Sequence, residues 1–155
     1  MVGIRMVTKL NIELAKALLE EAKLDLESAK THIQYKRWHK AVFDAQQCAE
    51  KAMKAALACE GITYISDHDP SGFFAVDVVM RAPESWVESL REILHETAWL
   101  MDQYSVARYA RIRARRVVTP LKLYKKEDAE EAVRIAEKTL FTIEKFLKEV
   151  YFKNV

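Results

Sequence analysis

The chain has 155 residues, of which half are hydrophobic, 31% are charged, and only three are glycine and three proline. This length and composition are typical of one soluble globular domain, and the scarcity of glycine and proline favours helices. The 25 basic and 23 acidic residues leave a formal charge of +2, which excludes the strong overall positive field of a general polyanion binder. We expect one domain over residues 1–155, with residues 1–10 frayed, and any anion site must come from local clustering.

The first two predicted helices form an antiparallel hairpin. The first is capped by Asn11 and runs to about Ile33, with apolar residues at three- and four-residue spacing. The second begins near Arg37 and ends at Gly61, a glycine suited to a left-handed C-terminal cap. Its alanines recur on one face and allow another helix to approach closely, so this helix is predicted to be the centre of a bundle; they are Ala41, Ala45, Ala49, Ala52 and Ala56.

Three further helices follow. Asp69 and Pro70 form a start signal for a short helix over residues 71–80, and Pro83 restarts a helix that runs to about Val106. A last helix covers about residues 127–152. The fold class is therefore all-α, an up-and-down bundle of four long helices plus one short helix. The predicted buried face of the fourth helix comprises Trp86, Val87, Leu90, Ile93, Leu94, Ala98, Met101 and Ser105.

No apolar stretch approaches the length of a membrane span, and the N-terminus lacks the apolar core of a signal peptide. Cys48 and Cys59 lie about 16 Å apart along one predicted helix, too far for a disulfide. We expect a cytoplasmic protein with two reduced cysteines and no contact with a membrane.

The stretch between the last two long helices has no clear periodicity and is predicted to be a long loop that can include a turn of helix. Loops of this length in compact domains are often functional. It contains five arginines within nine residues, Arg108, Arg111, Arg113, Arg115 and Arg116, with Tyr104 and Tyr109 interleaved. Guanidinium groups bind phosphate bidentately and tyrosine rings stack on bases, which favours a nucleotide or RNA ligand. The alternative is a solvated basic loop whose arginines pair with surface carboxylates.

Other candidate ligand residues are weaker. His68 precedes the short helix. It either donates a hydrogen bond to a phosphate or acts as a general base; the alternative is that it only makes hydrogen bonds within its own loop. Gln47, Lys51 and Lys54 share one face of the second helix, which is either a solvated stripe or the wall of a cleft towards the arginine loop. No cysteine or histidine pair has the spacing of metal ligands, no phosphate-binding glycine motif occurs, and no cofactor or DNA specificity is indicated.

Three segments resemble the HEPN family, named for higher eukaryote and prokaryote nucleotide-binding domains. The segment DLESA at residues 25–29 and the segment FDAQQCAEKAMKAAL at residues 43–57 are similar to the family's opening hairpin. The segment EDAEEAVRIAEKTL at residues 127–140 is similar to its last helix. His68-Asp69 looks like a histidine-led motif of the family, and Arg108-Tyr109-Ala110-Arg111 looks like its "RYPD" motif without the proline and aspartate.

The resemblance implies a helical bundle, often a homodimer, that binds a nucleotide or RNA and partners a minimal nucleotidyltransferase in toxin–antitoxin modules. The residues expected to contact the ligand are Arg108, Tyr109, Arg111, Lys51, Gln47 and His68. HEPN ribonucleases carry an arginine followed, after four to six residues, by a histidine. Here the nearest match, Arg91 and His95, has only three residues between them. We therefore predict a binding module without this catalytic motif; the alternative is a divergent HEPN ribonuclease or toxin that uses His68 or His95.

Overall fold

The computed structural model describes residues 7–153 and is dominated by four long helices. The bounds of the elements are α1 Lys9–Gln34, α2 Trp38–Cys59, α3 Ser71–Phe73, α4 Glu84–Val106, β1 Arg111–Arg113, β2 Arg116–Val118, α5 Pro120–Leu123 and α6 Lys126–Leu147. Helix α3 continues as a π-helical stretch, Phe74–Val78, and a 3-10 turn, Val79–Arg81; we call residues 71–81 the α3 segment. Helix α6 ends in a π-helical turn, Lys148–Phe152. The predicted all-α fold is confirmed.

The long helices alternate in direction along the chain. Side-chain contacts between them run in opposite order on the two helices, which identifies each pair as antiparallel. These contacts are Asp25 with Lys51 and Ser28 with Asp44 for α1 and α2, Lys23 with Glu144 and Lys30 with Glu137 for α1 and α6, and Lys138 with Glu92 and Arg134 with Glu96 for α4 and α6. The arrangement is the predicted up-and-down bundle.

Helix α2 lies at the centre of the bundle, and its small residues are the reason. Every alanine of the predicted stripe is at most 1% exposed. The Cys48 thiol lies 3.9 Å from the carbonyl oxygen of Ala136, so α2 and α6 approach closely where both present small side chains. Close approach of this kind brings many atoms into van der Waals contact. Gly61 ends the segment with φ 82°, the left-handed conformation predicted for it.

The prediction that Asn11 caps α1 is wrong. The helix starts three residues earlier, at Lys9, and the cap is Thr8, whose hydroxyl oxygen accepts a hydrogen bond of 3.1 Å from the backbone N–H of Asn11. Asn11 therefore occupies the third helical position, where its backbone N–H has no acceptor within the helix and needs one from the cap. Residues 1–6 of the segment expected to be frayed lie outside the described residues, whereas Lys9 and Leu10 are helical.

The arginine-rich stretch contains a turn of helix, α5, as the sequence allowed, but the rest of it is not a structureless loop, and that part of the prediction is wrong. Strands β1 and β2 form an antiparallel hairpin in which Ile112 pairs with Val117. The two turn residues, Ala114 and Arg115, have φ 50° and 61°. Turns with two left-handed residues usually contain Asn-Gly, because other side chains cost about 1–2 kcal/mol in this conformation. The missing glycine is why the sequence pattern did not indicate a hairpin.

The buried face of α4 also differs from the prediction. Ala98 and Ser105 are exposed, and Thr97, Leu100 and Gln103 are buried in their place. Helix α4 contacts both α2 and α6, so its buried face lies between these two neighbours. The polar side chain of Gln103 can be buried because its oxygen accepts a 2.6 Å hydrogen bond from the hydroxyl of Tyr124. Tyr124 follows the hairpin in the chain. Burial raises the pKa of Tyr124 to about 12, so this hydroxyl stays protonated and remains a donor.

Candidate functional site

The middle of α2, the loop before α3 and the last turns of α4 meet at one site. His68, in the loop, stacks on Tyr104 of α4 with ring centroids 3.7 Å apart and planes 12° from parallel. Gln46 of α2 donates a 3.3 Å hydrogen bond to the backbone carbonyl of His68. The side chain of His68 is 51% exposed, so the ring is held at its position while part of it faces solvent.

Beneath His68 lies a buried carboxylate, Glu50, which is 5% exposed. Its oxygens accept hydrogen bonds from Lys54 at 2.7 Å, from Gln46 at 3.0 Å and from Gln47 at 3.2 Å. The imidazole Nδ1 of His68 lies 3.4 Å from the same carboxylate. Residues three and four positions apart on a helix share a face, so α2 itself supplies all three donors. A buried carboxylate with this many donors has a fixed orientation. It therefore also fixes the orientation of the His68 ring above it.

Arg108, just after the end of α4, lies among three aromatic rings. Its guanidinium carbon is 4.8 Å from the ring centroid of Tyr104, 5.0 Å from that of Tyr109 and 5.7 Å from that of Phe43. The guanidinium also donates hydrogen bonds to the hydroxyl oxygens of Tyr104, at 2.6 Å, and Tyr109, at 3.1 Å. Cation–π contacts orient a guanidinium without neutralising its charge.

Within residues 7–153, no carboxylate lies within ion-pair distance of Arg108 or of the four hairpin arginines, Arg111, Arg113, Arg115 and Arg116. The alternative interpretation, in which surface carboxylates neutralise the loop, is therefore not what the described residues show. In contrast, Arg134 on α6 pairs with Glu131 at 2.7 Å. The five arginines form a surface with uncompensated positive charge, and such a surface attracts anions.

The structure brings together four of the six predicted ligand residues and separates two. His68, Arg108 and Tyr109 are linked through Tyr104, and Gln47 joins them through Glu50. Lys51 instead pairs with Asp25 of α1 at 2.8 Å, so it points to another face of α2. Arg111 is half-buried in β1, where its charge acts on Tyr124. We call His68, Tyr104, Arg108 and Tyr109 the His68–Arg108 site.

Three participants were missed at the level of sequence, namely Phe43, Gln46 and Glu50. One signal was available for the polar pair, because Gln46, Glu50 and Lys54 recur at four-residue spacing in a helix that is otherwise rich in alanine. Their burial could not be read from that spacing, since it depends on the loop that carries His68 and on Met101 of α4, which contacts Gln46.

In residues 7–153, no group of three His, Cys, Asp or Glu side chains is arranged to hold a metal ion. None of the helices in that range is long and apolar enough to cross a membrane. His95, a candidate from the sequence, is exposed on α4 with Arg91, away from the His68–Arg108 site.

Comparison with known proteins gives consistent results. A protein of Methanocaldococcus jannaschii named "Putative toxin MJ1304" is 37% identical over 142 residues, which are 91% of this chain and 93% of that protein. The crystal structure of TT1696 from Thermus thermophilus superposes with a TM-score of 0.63 at 29% identity, covering 86% of this chain and 98% of that one. ST0689, described as an archaeal HEPN homologue, superposes with a TM-score of 0.59 at 25% identity, over 84% and 95% of the two chains. The profile of the HEPN domain matches residues 15–152, and the chain therefore belongs to the HEPN family.

Proposed function

We infer that this protein binds RNA or a nucleotide at the His68–Arg108 site. The observation that carries the proposal is the state of Arg108, which is oriented by three aromatic rings and has no carboxylate partner among the described residues. A guanidinium in this state offers fixed N–H donors and a full positive charge to a phosphate. Membership of the HEPN family supports the same inference.

Each residue of the site has a role in this proposal. The N–H groups of Arg108 that do not contact the tyrosine hydroxyls donate to a phosphate, and the hydroxyls of Tyr104 and Tyr109 keep the guanidinium plane in place. The exposed ring of Tyr109 offers a surface on which a base stacks. Arg113, Arg115 and Arg116 at the exposed end of the hairpin contact further phosphates if the ligand is a strand rather than a single nucleotide.

The test is a binding titration with a short fluorescent single-stranded RNA, using the full chain, Arg108→Ala and Arg134→Ala. Both variants lose one exposed positive charge, but Arg134 is already neutralised by Glu131. We expect Arg108→Ala to weaken binding about tenfold or more and Arg134→Ala to change it less than about twofold. The affinity of the unmodified chain should fall steeply with salt. Binding that both variants retain equally, or that salt leaves unchanged, would contradict the proposal.

A second candidate function is cleavage of RNA at the same site, and the Glu50–His68 contact favours it. A carboxylate that orients an imidazole is the arrangement of a general acid or base, and Arg108 would hold the phosphate next to it. His68 and Arg108, which are far apart in the chain, both contact the ring of Tyr104, and this proximity supports the candidate. The relative named as a toxin supports this candidate.

Cleavage is tested with purified protein and labelled RNA, comparing His68→Ala with His95→Ala. His95 is an exposed histidine outside the site and serves as the matched control. Loss of cleavage in His68→Ala alone would support catalysis, whereas equal background from the unmodified chain and both variants would leave binding as the function.

A nucleotidyltransferase partner and a cytoplasmic location also stay predictions. Co-purification of this chain with a nucleotidyltransferase encoded nearby would support the predicted partner.

A further inference from the structure

A cavity of about 210 Å³ lies between α1, the last turn of α2 and the loop that leads to His68. Its walls are mainly apolar and are formed by Leu14 and Leu18 of α1, Ala58 of α2, and Ile62 and Ile65 of the loop. These side chains belong to the core or pack against it, so the cavity keeps its shape. Because an apolar cavity of about 150 Å³ holds a benzene ring, this one admits a flat ring with its substituents.

Lys54 gives this apolar cavity one cationic wall. Its ammonium group donates a 2.7 Å hydrogen bond to Oε1 of Glu50, a buried carboxylate that fixes the position of the group. Among residues 7–153, Glu50 is the one side chain that pairs with Lys54. An ammonium group has three N–H donors, so the others are available to an acceptor inside the cavity.

The cavity adjoins the His68–Arg108 site through Glu50. Oε1 of Glu50 lies 2.7 Å from Nζ of Lys54 and 3.4 Å from Nδ1 of His68, so one carboxylate oxygen joins the two. The ring of His68 in turn stacks on Tyr104, whose ring contacts Arg108. Direct contacts thus lead from the guanidinium group to the cavity, over a distance that a strand of a few nucleotides spans.

Tyr64 lies at the rim of the cavity with its ring in solvent. It is 84% exposed, whereas its loop neighbours Ile62 and Ile65 are half-buried. An exposed aromatic ring beside a cavity of this size offers a face on which a base stacks.

We propose that this cavity binds one base of a bound RNA strand and selects a base with a carbonyl oxygen, uracil above all. The inference rests on the proposed binding of RNA at the His68–Arg108 site. Leu18 and Ile65 contact the base ring, and Lys54 donates a hydrogen bond to a carbonyl oxygen. Uracil has one ring and two such oxygens. Adenine has two rings, no carbonyl oxygen and an amino group, whose N–H groups an ammonium group cannot accept.

The first experiment compares the affinities of oligouridylate and oligoadenylate of equal length. Leu18→Phe and Ile65→Phe fill the cavity from α1 and from the loop, and Leu24→Phe, at an exposed position of α1 outside the cavity, is the matched control. We expect the unmodified chain and Leu24→Phe to bind oligouridylate about fivefold or more tightly than oligoadenylate. Each filling variant should reduce this preference to less than about twofold, and thermal unfolding checks that each variant is folded.

Arg108→Ala separates the selection of the base from the binding of phosphate. Both strands present the same phosphates, so this variant should weaken the binding of both by the same factor and keep the preference for oligouridylate.

The second experiment uses the unmodified chain and therefore does not depend on the folding of a variant. An oligouridylate that contains 5-iodouracil keeps both carbonyl oxygens and reacts in light with aromatic side chains that it contacts. We expect mass spectrometry to find a cross-link on Tyr64, at the rim of the cavity.

Three results would overturn the inference. They are equal affinities of the unmodified chain for the two strands, a preference for oligouridylate that both filling variants retain, and cross-links on Tyr109 without any on Tyr64. If the affinities are equal and Arg108→Ala still weakens both, the proposed function stands and only the selection of the base fails. Absence of binding to either strand would contradict the proposed function as well.

Discussion

The ring of His68 lies parallel to the ring of Tyr104, 3.7 Å away, although 36 residues separate them in the chain. This stack joins two groups that the sequence leaves apart. Glu50 orients His68 from below, and Arg108 contacts the ring of Tyr104. The chain thereby places an imidazole, a buried carboxylate and a guanidinium next to one another without a local motif that contains all three.

The alanine face of α2 should not tolerate larger side chains. Ala49 is fully buried, so Ala49→Leu inserts three carbon atoms where no space exists and should lower the free energy of unfolding by about 1–3 kcal/mol. The same substitution at Ala98, which is exposed on α4, is the control and should change stability by less than about 0.5 kcal/mol. Urea unfolding measures both. A similar loss for the two variants would mean that packing on α2 is not the cause.

Glu50 should stabilise the fold as well as orient His68. Glu50→Ala leaves the amides of Gln46 and Gln47 and the ammonium group of Lys54 without their shared acceptor, and we expect a loss of about 3 kcal/mol in the free energy of unfolding. Glu131→Ala, which removes an exposed carboxylate paired with Arg134, should cost less than about 1 kcal/mol. Chemical denaturation distinguishes them, and equal losses would show that Glu50 is an ordinary surface carboxylate.

The raised pKa of Asp25 predicts a specific dependence of the free energy of unfolding on pH. Burial raises the pKa of Asp25 above its ordinary value of 3.8, and Asp44 and Glu21 add to this, while Lys51 opposes it. The folded state therefore binds this proton more tightly than the unfolded chain. The stability contributed by the protonated carboxyl is complete below pH 3.8 and is lost as the pH rises through the raised pKa.

Asp25→Asn cannot ionise, so it provides the reference for this titration. The free energy of unfolding of the unmodified chain, relative to that of Asp25→Asn, should fall as the pH is raised above 3.8 and through the raised pKa of Asp25. Denaturation curves at each pH give this difference, in which the titration of carboxylates that do not interact with Asp25 cancels. A difference that increases with pH would mean that Lys51 outweighs burial and lowers the pKa of Asp25.

Both cysteines should be unreactive in the folded protein. Burial raises the pKa of the Cys48 and Cys59 thiols to about 12, so at pH 8 roughly one in ten thousand is a thiolate, and neither side chain is exposed. A chromogenic disulfide reagent should find no thiol in the native chain and two in urea. Val76→Cys, at an exposed position, is the positive control and should react at once without denaturant. Rapid reaction of the unmodified native chain would show that α2 opens locally.

Local patterns in the sequence were sufficient for most of the fold. The alanine spacing of α2, the glycine at its end and Pro83 before α4 act through interactions within a few residues, and the structure agrees with each. The start of α1 was misplaced, because both Thr8 and Asn11 can cap a helix and only the backbone geometry selects between them. The hairpin was missed because Ala114 and Arg115 adopt left-handed conformations that their residue types do not favour.

For the candidate site, the sequence by itself determined the chemistry available, an arginine-rich stretch with interleaved tyrosines and a histidine in a loop. The tertiary structure decided which of these residues meet. Lys51 and Gln47 share a helix, yet Lys51 pairs with Asp25 of α1 and Gln47 with Glu50 beneath His68. The reason is physical: burial, ion pairing and ring stacking depend on which elements lie next to α2, and helical spacing relates residues only within one element.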